Sequence, residues 1–132
     1  MLKEMVYNIL RKPPERIADG TYKGLDYYVL SLGTHPTAYI DVSDTKLAGK
    51  DYNDIDIECH GGLTYSRGYL ATVNKKGWFI GWDYAHYGDY CGCLPDLYDI
   101  DKCWTTEEIV EECKSVIEQI NEMEKNDETT KH

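Results

Sequence analysis

Positive charge is scarce in this sequence: 14 Lys and Arg stand against 24 Asp and Glu, a formal net charge of -10. With so few cations to neutralise phosphates, direct binding to a nucleic-acid backbone is disfavoured. The same deficit suits docking on a basic surface, including one that normally holds nucleic acid. Long apolar runs are missing too, and nothing approaches the ~20 residues of a membrane span. The first residues, MLKEMVYNILRKPP, mix acid and base and carry no small-residue cleavage site. No signal peptide is read there, and a cytoplasmic setting is expected. In that setting the five cysteines, an odd number, are expected as reduced thiols. Cys91-Gly-Cys93 with Cys103 lacks the C-x2-C spacing and second knuckle of a zinc site, and Cys113 falls on an apolar helical stripe. Phosphate-binding glycine loops, nucleophile elbows and dinucleotide fingerprints are absent as well.

Phenylalanine is reduced to one residue, whereas tyrosine reaches twelve and tryptophan three. Amphipathic rings suit half-wet grooves and interfaces, but tyrosine is also a good strand residue, and the composition leaves both readings open. The 132 residues fit one domain, assigned to 1–124, with KNDETTKH (125–132) as a disordered tail. Apolar spacing predicts a short helix over 2–11, stopped by Pro13 and Pro14. Strands are expected at 25–32, 37–42, 55–59, 67–73 and 77–82, with NKKG (74–77) as a hairpin turn. Residues 83–103 read as a long, acidic, Tyr-rich loop, a length that points to function or mobility. Thr105-x-x-Glu108 opens a helix whose apolar positions are Ile109, Cys113, Val116, Ile117, Ile120 and Met123. The expected fold is α+β: a mostly antiparallel sheet of about five strands, the C-terminal helix packed on one face, and the short N-terminal helix.

Two clusters can carry chemistry. In DIDIECHGG, Asp54, Asp56, Glu58 and His60 alternate with Ile55, Ile57 and Cys59, before Gly61 and Gly62. Alternation turns the carboxylates to one side, where unneutralised like charges repel unless a cation, ligand or basic partner relieves them. A solvated outer face explains the same pattern. The glycines permit a positive-φ turn or a close approach, and their N–H groups an anion nest. In GWDYAHYGDY, Asp83, His86 and Asp89 follow a strand at spacings of three. If the two strand ends are neighbours, Asp56, His60, Asp83, His86 and Asp89 can gather around a divalent metal or serve as an acid/base pair. The alternative to a binding protein without cofactor is thus a metal-dependent hydrolase or binding protein acting on a nucleotide or phosphodiester. Trp82, Tyr65 and Tyr84 are the candidate stacking platform for such a nucleotide. Asp96, Asp99 and Asp101, with the rest of 83–103, are candidates for contact with a basic protein surface.

DYNDIDIECHGGLTYS, GWFIGWDYAHYGDY and TTEEIVEECKSVIEQI together resemble a family of small bacteriophage and prophage proteins. The similarity spans about residues 49 to 120, and its specific blocks are HGGLTYS and GWDxAHxGD. It brings no catalytic roles. What it implies is a setting: small acidic phage accessory proteins antagonise host defences, as anti-CRISPR proteins do, by filling a basic groove or trapping a nucleotide signal. The expected partner is therefore a host defence protein with a basic surface, in the host cytoplasm.

Overall fold

Tyr22-Lys23-Gly24-Leu25 turns the chain tightly, with Lys23 at φ 47° and Gly24 at φ 87°. Paired positive-φ residues of this kind match the twist of two flanking strands and so close a two-residue hairpin. In the computed structural model, which describes residues 15–31, 35–84 and 104–130 with side chains to 125, that hairpin joins β1 (Glu15–Tyr22) to β2 (Leu25–Ser31). β3 (Pro36–Asp41), β4 (Tyr65–Leu70) and β5 (Lys75–Asp83) complete a five-stranded antiparallel sheet in the order β1-β2-β3-β5-β4. The single described helix, α1, spans Thr106–Thr130 and packs over β1, β2 and β3. The α+β class, the antiparallel sheet and the C-terminal helix are as the sequence leads one to expect. The helix expected over 2–11 lies outside the described residues.

Three expectations are corrected. β1 takes the place of the strand expected at 55–59, which forms no bridge to any strand. The hairpin between β4 and β5 begins earlier than read: Ala71–Val73 form a 3-10 turn and Asn74 follows with φ 50°, so 71–73 leave the strand. Finally, α1 continues to Thr130 and takes in residues 125–130 of the expected tail, since no Gly or Pro interrupts that stretch.

The helix start follows from its cap. The Thr105 N–H donates to Glu108 Oε1 at 3.2 Å and the Glu108 N–H donates to Thr105 Oγ1 at 3.2 Å, a reciprocal box. Ile109, Cys113, Val116, Ile117 and Ile120 then form the buried stripe of α1, facing Val29, Ala38, Ile40, Ile80 and Trp82 of the sheet. Each fully buried aliphatic side chain contributes about 1.5–3 kcal/mol. Ile55 and Ile57 complete this core from the side. The opposite sheet face carries a second cluster, Tyr28, Leu30, Tyr39, Leu70 and Phe79. The turn after β4 reaches back to β1, so the sheet curls across this face.

Candidate functional site

Residues 54–60 keep the alternation of a strand without being one. Ile55 and Ile57 are buried while Asp54, Asp56 and Glu58 are exposed. In place of a neighbouring strand, α1 supplies the hydrogen bonds. The Glu58 N–H donates to Gln119 Oε1 at 2.8 Å, and Gln119 Nε2 donates to the Glu58 C=O at 2.8 Å. A side-chain amide thus does for one residue what a β-ladder does for many, and the backbone polar groups of Glu58 are satisfied without a sheet. Two residues on, the His60 N–H donates to Glu112 Oε2 at 3.2 Å. Glu112 and Gln119 lie seven positions apart, on one flank of the apolar stripe.

The glycines have a mechanical cause. The Gly62 N–H donates to the Cys59 C=O at 3.0 Å, closing a turn in which Gly61 has φ 69° and Gly62 follows at φ 81°. A positive φ at the third residue of such a turn favours glycine. The turn swings the chain from α1 to β4, where the Thr64 N–H donates to the Gly81 C=O. The Gly62 N–H is thereby occupied, which removes it from the anion nest considered above.

Glu112 is a hub. Besides the His60 N–H, its carboxylate accepts Trp82 Nε1–H at 3.2 Å and the Tyr84 hydroxyl in a short hydrogen bond. Burial first, and then the hydrogen bond to Glu112, push the Tyr84 phenol well above its usual range. Burial and the same carboxylate push the Cys59 thiol up to about 12 and the Cys113 thiol up to about 12. Both stay protonated at neutral pH and are poor nucleophiles. Above Glu112, the His60 ring stacks on Tyr84 with centroids 4.9 Å apart and planes 7° from parallel. Trp104 packs against both rings, 4.8 Å from His60 and 5.0 Å from Tyr84.

Of the candidate residues, His60 is thus brought beside the end of β5, but against Tyr84. The alternation that turns Trp82 and Tyr84 toward α1 turns Asp83 to the other face. There its carboxylate accepts the Thr64 hydroxyl at 3.4 Å and faces the Tyr39 phenol, whose pKa it helps burial to raise. His60 and Asp83 therefore lie on opposite faces of the sheet. Asp56 is exposed on the acidic row. Among the described residues no three His, Cys, Asp or Glu side chains are grouped to hold a metal. Trp82 is 1 % exposed and Tyr84 fully buried, so neither offers a stacking face; both serve the core and Glu112. Tyr65 is half-buried, its ring edge-on to Tyr39 at 4.9 Å. His86, Asp89, Asp96, Asp99 and Asp101 lie outside the described residues. The sequence reading missed Glu112, Gln119 and Trp104. The signal for the first two is their seven-residue spacing beside the stripe.

What remains exposed is a row of carboxylates. Asp54, Asp56 and Glu58 run along the flank of α1, which itself exposes Glu111 and Glu122. Among the described residues, Asp54, Asp56 and Glu58 take part in no ion pair. No described helix is long and apolar enough to cross a membrane. Compared with known proteins, the chain matches no family model, no curated protein and no solved structure.

Proposed function

We propose that this protein is a non-enzymatic, phage-encoded accessory protein that inhibits a host defence system by binding, in the manner of an anti-CRISPR. Its acidic face docks on a basic protein surface that otherwise holds nucleic acid, in the cytoplasm of the host cell. The observation that carries this reading is the row Asp54, Asp56 and Glu58, which takes part in no ion pair among the described residues and is held beside α1 by Gln119 and Glu112. Like charges along one extended segment repel. A basic partner converts that cost into attraction and speeds encounter. The net charge of -10 extends the same field over the molecule. The resemblance to phage proteins supplies the setting.

The test is retention of bacterial lysate proteins on the immobilised chain, with and without competing duplex DNA. Nucleic-acid-binding proteins are expected to be retained, to be displaced by the DNA, and to be lost between about 0.05 and 0.5 M salt as screening shortens the reach of the charges. The triple variant Asp54→Lys/Asp56→Lys/Glu58→Lys is expected to lose them. Unchanged retention by that variant, or retention indifferent to salt, refutes the reading.

A further inference from the structure

The bonds that tie 54–60 to α1 use one edge of the segment. Glu58 gives both its N–H and its C=O to Gln119, and His60, two residues on, gives its N–H to Glu112. In extended backbone the polar groups of the intervening residues point the other way. On that second edge stand the Ile55 C=O, the Ile57 N–H and C=O, and the Cys59 N–H. None of the four has a hydrogen-bond partner among the described residues, whereas the Ile55 N–H is bonded to Tyr52 and the Cys59 C=O accepts from Gly62. Residues 55–59 form no bridge with any described strand. Two acceptors and two donors, in extended spacing and backed by a helix, are what an added strand pairs with.

We infer that this edge is a β-addition site, and that its occupant is an extended segment of the protein partner with Lys or Arg at every second position. The inference rests on the acidic docking proposed above and specifies the chemistry of the docked segment. Side chains on the outward face of an added strand lie directly across from Asp54, Asp56 and Glu58, where opposite charges attract and like charges repel. Among the described residues those three carboxylates have no ion-pair partner, so there the added strand meets no competing ion pair. The intervening residues of the added strand turn to the same side as Ile55 and Ile57, which calls for apolar side chains there. Gln119 and Glu112 hold the receiving edge straight before the partner arrives, which lowers the ordering cost of binding. The positioning roles therefore fall to Gln119 and Glu112, and the contacts to the 55–59 backbone and the acidic row.

The experiment uses the full chain and three fluorescein-labelled heptapeptides, read by anisotropy at low salt. One alternates Lys with Val; the second has the same composition with its lysines clustered at one end; the third is the alternating peptide with N-methylated backbone amides. The alternating peptide is expected to bind about tenfold tighter than either control, the size that a few cross-strand pairs supply. Its binding is expected to slow hydrogen exchange at the Ile57 and Cys59 amides. Asp56→Lys/Glu58→Lys is expected to remove the preference, and Asp19→Lys on β1 to leave it. Equal binding of all three peptides, or none by any, overturns the inference. Equal, salt-sensitive binding leaves the acidic docking reading standing, since charge alone then drives association, and the lysate test decides that reading separately.

Discussion

At the scale of single residues, the tyrosines find their use against glycines. Gly20 pairs with Tyr27, and Gly81 with Tyr39, across neighbouring strands. In each case the ring folds over the bare glycine opposite, covering backbone that would otherwise be exposed. A Cβ on Gly81 would lie 2.5 Å from Tyr39 Cδ1 and 2.7 Å from the Ala38 carbonyl oxygen. On Gly20 its three nearest neighbours would all belong to the Tyr27 side chain, the closest being the hydroxyl oxygen at 2.5 Å. A ring can rotate aside; a carbonyl in a central β-ladder cannot. Gly81→Ala is therefore expected to cost about 3 kcal/mol and Gly20→Ala about 1 kcal/mol, within the range for overpacking. Urea denaturation of the two variants checks this, and equal costs would count against the ring-rotation argument. The two readings of the tyrosine excess thus separate by position. Tyr27, Tyr28, Tyr39 and Tyr84 are buried sheet and core residues, and Tyr69 is exposed.

At the scale of elements, Gln119 matters more than its type suggests. Gln119→Leu keeps the bulk of the side chain but leaves the Glu58 N–H and C=O without partners. The expected cost is about 1–2 kcal/mol, with faster hydrogen exchange at the Glu58 amide. Gln119→Glu, which retains an acceptor and loses the donor, is expected to fall between. An unchanged exchange rate in the Leu variant would mean that Ile55, Ile57 and the His60–Glu112 bond hold the segment without Gln119. The same region shows where sequence patterns stop being legible. Alternation in 54–58 identifies which side chains are buried, because that depends only on extended backbone. It does not identify what supplies the hydrogen bonds, and a helix side chain is outside any local pattern. The start of α1 was legible, because Thr105 and Glu108 are a local pair. β1 was not: it is an edge strand, Ala18 and Tyr22 alone pack their side chains on the core, and a register shift between Arg16 and Ala18 breaks its alternation. Its sign in the sequence was Lys23-Gly24, a pair suited to positive φ, preceded by the largely polar run ERIADGTY.

At the scale of the whole molecule, Lys75 closes the curl of the sheet. Its ammonium lies 2.8 Å from the Asp41 carboxylate and 3.4 Å from that of Asp26, joining the start of β5 to β3 and β2. Burial works against the charged form of Asp41, yet hydrogen bonds from Lys75 and Ser43 hold its carboxyl below the usual value of 3.8. Lys75 is raised above its usual 10.5, foremost by the hydrogen bond to Asp41. A carboxyl depressed in the folded state stabilises above its unfolded pKa and loses that contribution as pH falls through the folded one. A raised lysine keeps its contribution below 10.5 and loses it only at higher pH. The pair therefore works across the neutral range and fails first on the acid side. Asp41 is 12 % exposed but Lys75 is 41 % exposed, so solvent screens part of the interaction. Asp41→Asn is expected to cost about 1–2 kcal/mol at neutral pH and progressively less as pH falls below the usual carboxyl value of 3.8, as followed by thermal unfolding across that range. A cost independent of pH would assign Asp41 a purely packing role.

The contact between Tyr84 and Trp104, 5.0 Å from ring to ring, has a consequence for how such a chain can vary between related genomes. Tyr84 and Trp104, well separated in the sequence, stand side by side, with His60 riveting the two together. Doubling the span of a closed loop costs only about 0.6 kcal/mol of chain entropy. With the two rings held in contact, changes of length between Tyr84 and Trp104 cost little in chain entropy, so such changes can accumulate while the sheet and helix stay the same.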